Sequence, residues 1–197
     1  MIYLYTGTPG SGKSLRAAYK IISKLKHGYN VIANFPIDLG YFGKCKIGKF
    51  LYLDNSELNV NYLKNFAKEN HKLGKEGQTL IVIDECASMF NCRAWDAKGR
   101  MDWIFFMQQH RKLGFDMLLI SQHDRLIDRQ IRAFVETEYK HRAMRNYTFF
   151  GSVLSFISGG LFVAVEYWYG TNLRVGKEIF RFDKKKAKIY DTNLLFE

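Results

Sequence analysis

The run GTPGSGKS at residues 7–14 places three glycines, a lysine and a hydroxyl residue in the order G-x-x-x-x-G-K-[ST]. That spacing predicts a phosphate cradle. Glycines at 7, 10 and 12 let successive backbone N–H groups turn toward one anion. Lys13 then reaches the outer phosphates of a nucleoside triphosphate, and the Ser14 hydroxyl ligates Mg2+. The expected nucleotide-binding stretch is Gly7, Thr8, Pro9, Gly10, Ser11, Gly12, Lys13, Ser14 and Leu15, with ATP and Mg2+ as ligands.

Two further runs end in groups that fit such a site. TLIVIDEC, residues 79–86, is apolar up to Asp84 and Glu85. Asp84 is placed to hold Mg2+ through water, with Ser14 as the other metal-binding residue. Glu85 is placed to polarise the attacking water. MLLISQ, residues 117–122, ends in Gln122, the first candidate for a polar sensor of the γ-phosphate, with Ser121 the second. Lys13, Glu85 and Gln122 are thus the expected catalytic set. The phosphate loop supplies no arginine, and in ring ATPases a neighbouring subunit provides one. Arg93, Arg125 and Arg132 follow the two acidic or polar strand ends and are the candidates.

These residues need a scaffold, and the chain patterns one. Ile2–Tyr5 reads as a buried strand before the glycine loop, and Leu15, Ala18, Tyr19, Ile22 and Leu25 recur at helical spacing up to His27-Gly28. Val31–Asn34 suits a second strand, and residues 36–49 suit an irregular connection. Ser56 is a candidate cap for a helix carrying Leu58, Tyr62, Leu63 and Phe66, followed by a loop over 68–78. Leu80–Ile83 and Met117–Ile120 are uninterrupted apolar runs, as strands buried on both faces require. Trp103, Phe106, Met107 and His110 predict a helix between them, ending at Leu113-Gly114. Alternating strands and helices predict an α/β fold with a mainly parallel central sheet flanked by helices. One domain over 1–197 is expected, with a nucleotide-binding core at 1–145 and a β extension at 146–197.

Residues 148–165 form an uncharged run of 18, long enough to consider as a membrane span. Its glycines, serines and β-branched residues, and Ser158-Gly159-Gly160 near its middle, favour a β-hairpin turning there.

Composition adds less. Thirty Lys and Arg against nineteen Asp and Glu leave a net charge of +11, which favours anionic partners without choosing among them. Cys45, Cys86 and Cys92 show no paired spacing, which suits a reducing compartment. Trp95 and Trp103 with Arg93, Lys98 and Arg100 can make a stacking surface for single-stranded DNA, although core packing is the preferred reading of the tryptophans. No basic leader precedes the first apolar run.

Taken together, TGTPGSGKS, IVIDE, QQHRKLGFDMLLISQ and IDRQIR make the chain resemble the zonular occludens toxin (Zot) family, which includes the filamentous-phage gene I assembly proteins. The resemblance extends from about Met1 to Tyr190. It implies a P-loop NTPase of the RecA/FtsK-HerA-like kind, forming a homo-oligomeric ring (a hexamer is one option). It further implies ATP hydrolysis coupled to assembly and extrusion of filamentous phage, with coat proteins or single-stranded DNA as partners. Members sit at the bacterial inner membrane through a C-terminal span and carry a periplasmic tail. This sequence lacks both, so a truncated cytoplasmic domain is the expectation. A small P-loop nucleoside or metabolite kinase is the alternative, disfavoured by Glu85 directly after Asp84. A non-catalytic nucleotide-binding module is a third, disfavoured by Glu85 itself.

Overall fold

A computed structural model describes residues 1–91, 97–144 and 160–190. Eight strands make one sheet: β1 (Ile2–Thr6), β2 (Asn30–Ala33), β3 (Phe50–Tyr52), β4 (Thr79–Ile83), β5 (Phe115–Ile120), β6 (Thr137–Ala143), β7 (Leu161–Trp168) and β8 (Leu173–Arg181). The helices are α1 (Lys13–Lys26), α2 (Val60–Asn70), α3 (Ala97–Gln109) and the short α4 (Arg129–Arg132) and α5 (Lys184–Ala187). Strand order is β3-β2-β4-β5-β1-β6-β7-β8. The first six in that order run parallel, and β6, β7 and β8 pair antiparallel.

The continuous apolar runs have a direct cause. In β4 every residue from Thr79 to Ile83 is buried. Leu80 and Val82 face α1, packing with Tyr5, Val31, Leu118 and Ile120 against Ala17, Ala18, Ile21 and Leu25. Ile81 and Ile83 face the other way, with Leu4, Met117 and Leu119 against Leu63, Phe66, Phe106 and Met107 of α2 and α3. Both faces are covered, so no position of the strand can be polar without cost. Each such side chain contributes roughly 1.5–3 kcal/mol by leaving water.

The structure bears on three of the sequence readings. Helix α2 starts at Val60 rather than near Ser56, because Asn59 caps it by accepting from the Tyr62 N–H. The Ser56 hydroxyl instead donates to Asp54 within the preceding turn, 3.1 Å away. Among the described residues the C-terminal hairpin is β7–β8, turning at residues 169–172. Strand β7 has both edges occupied, by β6 and β8. Ser158 and Gly159 lie outside the described residues, and Gly160 immediately precedes β7. Finally, residues 161–165 are strand, so the uncharged run is not one helix. Among the described residues no helix is long and apolar enough to cross a membrane.

Strand β6 has no counterpart in the sequence reading. Thr137, His141 and Ala143 are buried on one face, Glu138 (itself buried), Lys140 and Arg142 share the opposite face, and the charges hide the strand.

Candidate functional site

Strands β4, β5 and β1 lie side by side and parallel, so their carboxyl ends deliver Asp84, Gln122 and Gly7 to one rim of the sheet. This is the edge where open α/β sheets bind ligands. The loop after β1 turns sharply into α1. Gly12 has φ 92°, a left-handed value that disfavours any side chain. A Cβ there would also stand 2.8 Å from the Phe162 ring of β7. Gly7 is equally confined, since a Cβ would lie 2.5 Å from the His141 carbonyl oxygen. No side chain caps α1, and its first turn holds no acidic residue, so its N–H groups and dipole face the loop uncompensated.

Lys13 is buried, and its ammonium donates to the carbonyls of Gly7 (2.6 Å) and Thr8 (3.1 Å). Burial lowers its pKa, and the charges of Asp84 and Glu85 oppose that shift. The Ser14 hydroxyl donates to Asp84 Oδ2 at 3.3 Å. The expected loop lysine, hydroxyl and acidic strand end therefore converge.

Asp84 is held from three sides. Its Oδ1 accepts the Glu85 N–H at 2.8 Å. Its backbone is clamped by Asn34 at the end of β2, whose Oδ1 accepts the Asp84 N–H (2.7 Å) and whose Nδ2 donates to the Asp84 carbonyl (2.9 Å). The third contact comes from far along the chain: the Tyr190 hydroxyl donates to Asp84 Oδ2. Burial first, and then the Asp84 charge, raise the pKa of that phenol, so it stays the donor. The Tyr190 ring packs edge-on against Phe35 with centroids 4.5 Å apart.

Glu85 is exposed and has φ 45°. A non-glycine residue held there carries backbone strain on the order of 1 kcal/mol, which is characteristic of functional turns. Gln122 lies two residues past β5, its carbonyl accepting the Gly7 N–H at 3.2 Å. With Thr6, Thr8, His123, Lys140 and His141 it lines a cleft of ≈ 520 Å³ beside the loop. Ser121 is buried and spends its hydroxyl on the His123 carbonyl, 2.9 Å away.

The arginine candidates separate. Arg93 lies outside the described residues. Arg132 pairs with Asp124 at 3.4 Å. Arg125 is exposed and forms no ion pair among the described residues. In the tryptophan cluster, Trp103 is core, in edge contact with Phe90 and Phe106, and Arg100 pairs with Asp128 at 3.0 Å. Trp95 lies outside the described residues.

Sequence reasoning missed Asn34, Tyr190 and His141. Asn34 stands at the end of a predicted strand, a position that could have flagged it, whereas no local pattern surrounds Tyr190. His141 Nδ1 faces the carbonyls of Tyr139 (2.9 Å) and Thr6 (3.3 Å), so it carries the proton, and the buried Nε2 has no partner. Burial foremost, with Arg16 nearby, pushes its pKa down to about 3. The neutral ring therefore belongs to the folded state, while the unfolded chain takes up a proton near pH 6.5. Stability from this residue is complete above pH 6.5 and is lost as pH falls toward 3. His141→Asn, which keeps a donor but does not titrate, should lose on the order of 2–3 kcal/mol less between pH 7 and pH 4.5 than the natural chain, read from urea unfolding. Identical losses would contradict this account.

The family described as Zonular occludens toxin (Zot) matches residues 1–188. The Gene 1 protein of Enterobacteria phage f1 is 30% identical over 166 residues, covering 80% of this chain and 47% of that protein. The Gene 1 protein of Salmonella phage IKe is 30% identical over 169 residues, covering 81% and 45%. The chain thus spans about half the length of the curated relatives it matches. Among solved structures, the N-terminal domain of zonular occludens toxin from Neisseria meningitidis superposes with a TM-score of 0.59 at 18% identity, covering 96% of this chain and 98% of that one. The genome packaging NTPase B204 of Sulfolobus turreted icosahedral virus 2, in complex with AMPPCP, gives 0.57 at 17% identity, covering 91% and 96%. At these identities the superpositions establish the fold, that of P-loop NTPases.

Proposed function

The chain belongs to the zonular occludens toxin (Zot) family, and from that membership we propose that it is the ATP-hydrolysing motor part of a filamentous-phage assembly and extrusion protein. The observation that carries this reading is the convergence of Lys13, Ser14 and Asp84 at one rim of the sheet, with Ser14 Oγ 3.3 Å from Asp84 Oδ2. Residues 7–15 are the phosphate-binding Walker A loop, and Asp84-Glu85 is the Walker B pair. Hard oxygen donors from a hydroxyl and a carboxylate suit Mg2+, which keeps several of its own waters. Ser14 and Asp84 would hold it, and when bound it neutralises charge on the phosphates.

The chain's own residues do the rest. Lys13 is desolvated, which strengthens its attraction for the β- and γ-phosphates. Glu85 orients a water and accepts its proton as the water's oxygen attacks the γ-phosphorus, the bond from that phosphorus to the β–γ bridging oxygen breaks, and ADP leaves with the bond's electron pair. Gln122 reports the γ-phosphate to β5. Residues 1–145 form the nucleotide-binding core of one domain, and 146–197 its β extension. Strand β7 supports the reading of the extension as part of the site, since Phe162 packs against Gly12.

The working form is a homo-oligomeric ring on the cytoplasmic face of the bacterial inner membrane, acting on coat proteins or single-stranded DNA. Arg125 is the first choice for a residue that reaches the neighbouring subunit's γ-phosphate, because it is exposed and unpaired among the described residues. An arginine supplied from a neighbour is worth about 10³–10⁵ in rate. Specific ATPase activity should therefore rise with protein concentration, and mixing Glu85→Gln with Arg125→Ala protein should restore activity that neither has alone. Activity independent of concentration, with no rescue on mixing, would show that one chain holds the complete site.

A further inference from the structure

We propose that Tyr190 gates the metal site, its hydroxyl occupying the acceptor position on Asp84 that a metal-bound water needs. The inference rests on the nucleotide-site reading above and adds a control element to it. Asp84 Oδ2 accepts from both Ser14 Oγ and the Tyr190 hydroxyl, while Oδ1 accepts the Glu85 N–H. A carboxylate oxygen has two lone pairs, so Oδ2 is fully used. Ser14 and Glu85 are chain neighbours of the phosphate loop and of Asp84 itself, so neither can withdraw without dismantling the site. Tyr190 can. It arrives from α5, beyond the last strand, and reaches Asp84 only through the tip of its side chain.

The backbone beside it is anchored independently. Ile189 is buried against the α1 layer, and its carbonyl accepts the Asp38 N–H at 3.1 Å. Rotation of the Tyr190 ring off Asp84 thus needs no unfolding of α5. The device ties the state of the metal site to the segment that follows the hairpin. In the closed arrangement Tyr190 competes with Mg2+ for Asp84 and leaves the phosphate loop free to meet a nucleotide.

The test is Tyr190→Phe in the full chain, which keeps the ring against Phe35 and removes only the hydroxyl. Affinity for a fluorescent ADP analogue is measured with EDTA and with saturating Mg2+. The two proteins should bind equally in EDTA. With Mg2+ the variant should bind about tenfold more tightly than the natural chain, the usual net worth of a hydrogen bond to a charged group. An equal or weaker Mg2+ effect in the variant would overturn the gate, and a weaker one would make Tyr190 a support for Asp84 instead. Absence of nucleotide binding by the natural chain in both conditions would remove the nucleotide-site reading, and the gate with it.

Discussion

Lys13→Ala should weaken nucleotide binding by about a hundredfold or more, measured by titration with a fluorescent nucleotide. Lys13 is buried where water cannot screen its charge, and the phosphates it would meet are polyanionic. Removing one member of a desolvated charge pair costs about 2–5 kcal/mol. The substitution also takes the donor from the Gly7 and Thr8 carbonyls, so the loop relaxes as well. The layers of the sheet do not depend on that ammonium, and thermal melting should find the variant folded. Unchanged affinity in a folded variant would remove residues 7–15 from nucleotide binding.

Glu85→Gln should keep nucleotide affinity close to that of the natural chain while phosphate release falls by about 10²–10⁴-fold. The amide fills the same space but cannot take a proton from water. The backbone strain at Glu85 is independent of the side-chain charge, so the turn should persist. Single-turnover measurement separates this loss from slow product release. A rate within twofold of the natural chain would place water activation on another residue.

The parts of this site that were legible in the sequence are those built from local backbone. A phosphate loop needs its glycines, lysine and serine within a few residues, because one turn makes the cradle. Asp84 and Gln122 were readable for a related reason: each follows a strand buried on both faces, and an apolar run that gives way to polar residues marks the rim. The strand order that puts β5 between β4 and β1 is a long-range property that no local pattern encodes.

The missing parts are those set by tertiary contact. Tyr190 meets Asp84 across 106 residues of sequence, and no spacing rule reaches that far. Strand β6 was hidden by Glu138, Lys140 and Arg142, which face away from α1. The turn expected at Ser158-Gly159-Gly160 falls largely outside the described residues, and the hairpin that is described turns at residues 169–172, where Asn172 takes a left-handed φ of 53°. Turn chemistry alone could not show that both edges of β7 were already taken.

The central claim, that this fold holds a water-activating ATPase site, is tested most directly by phosphate release from ATP with no acceptor added. The full chain should release phosphate in Mg2+, and release should vanish in EDTA and in the Lys13→Ala protein. A chain that binds ATP in Mg2+ at every protein concentration yet releases no phosphate without an added acceptor would contradict it.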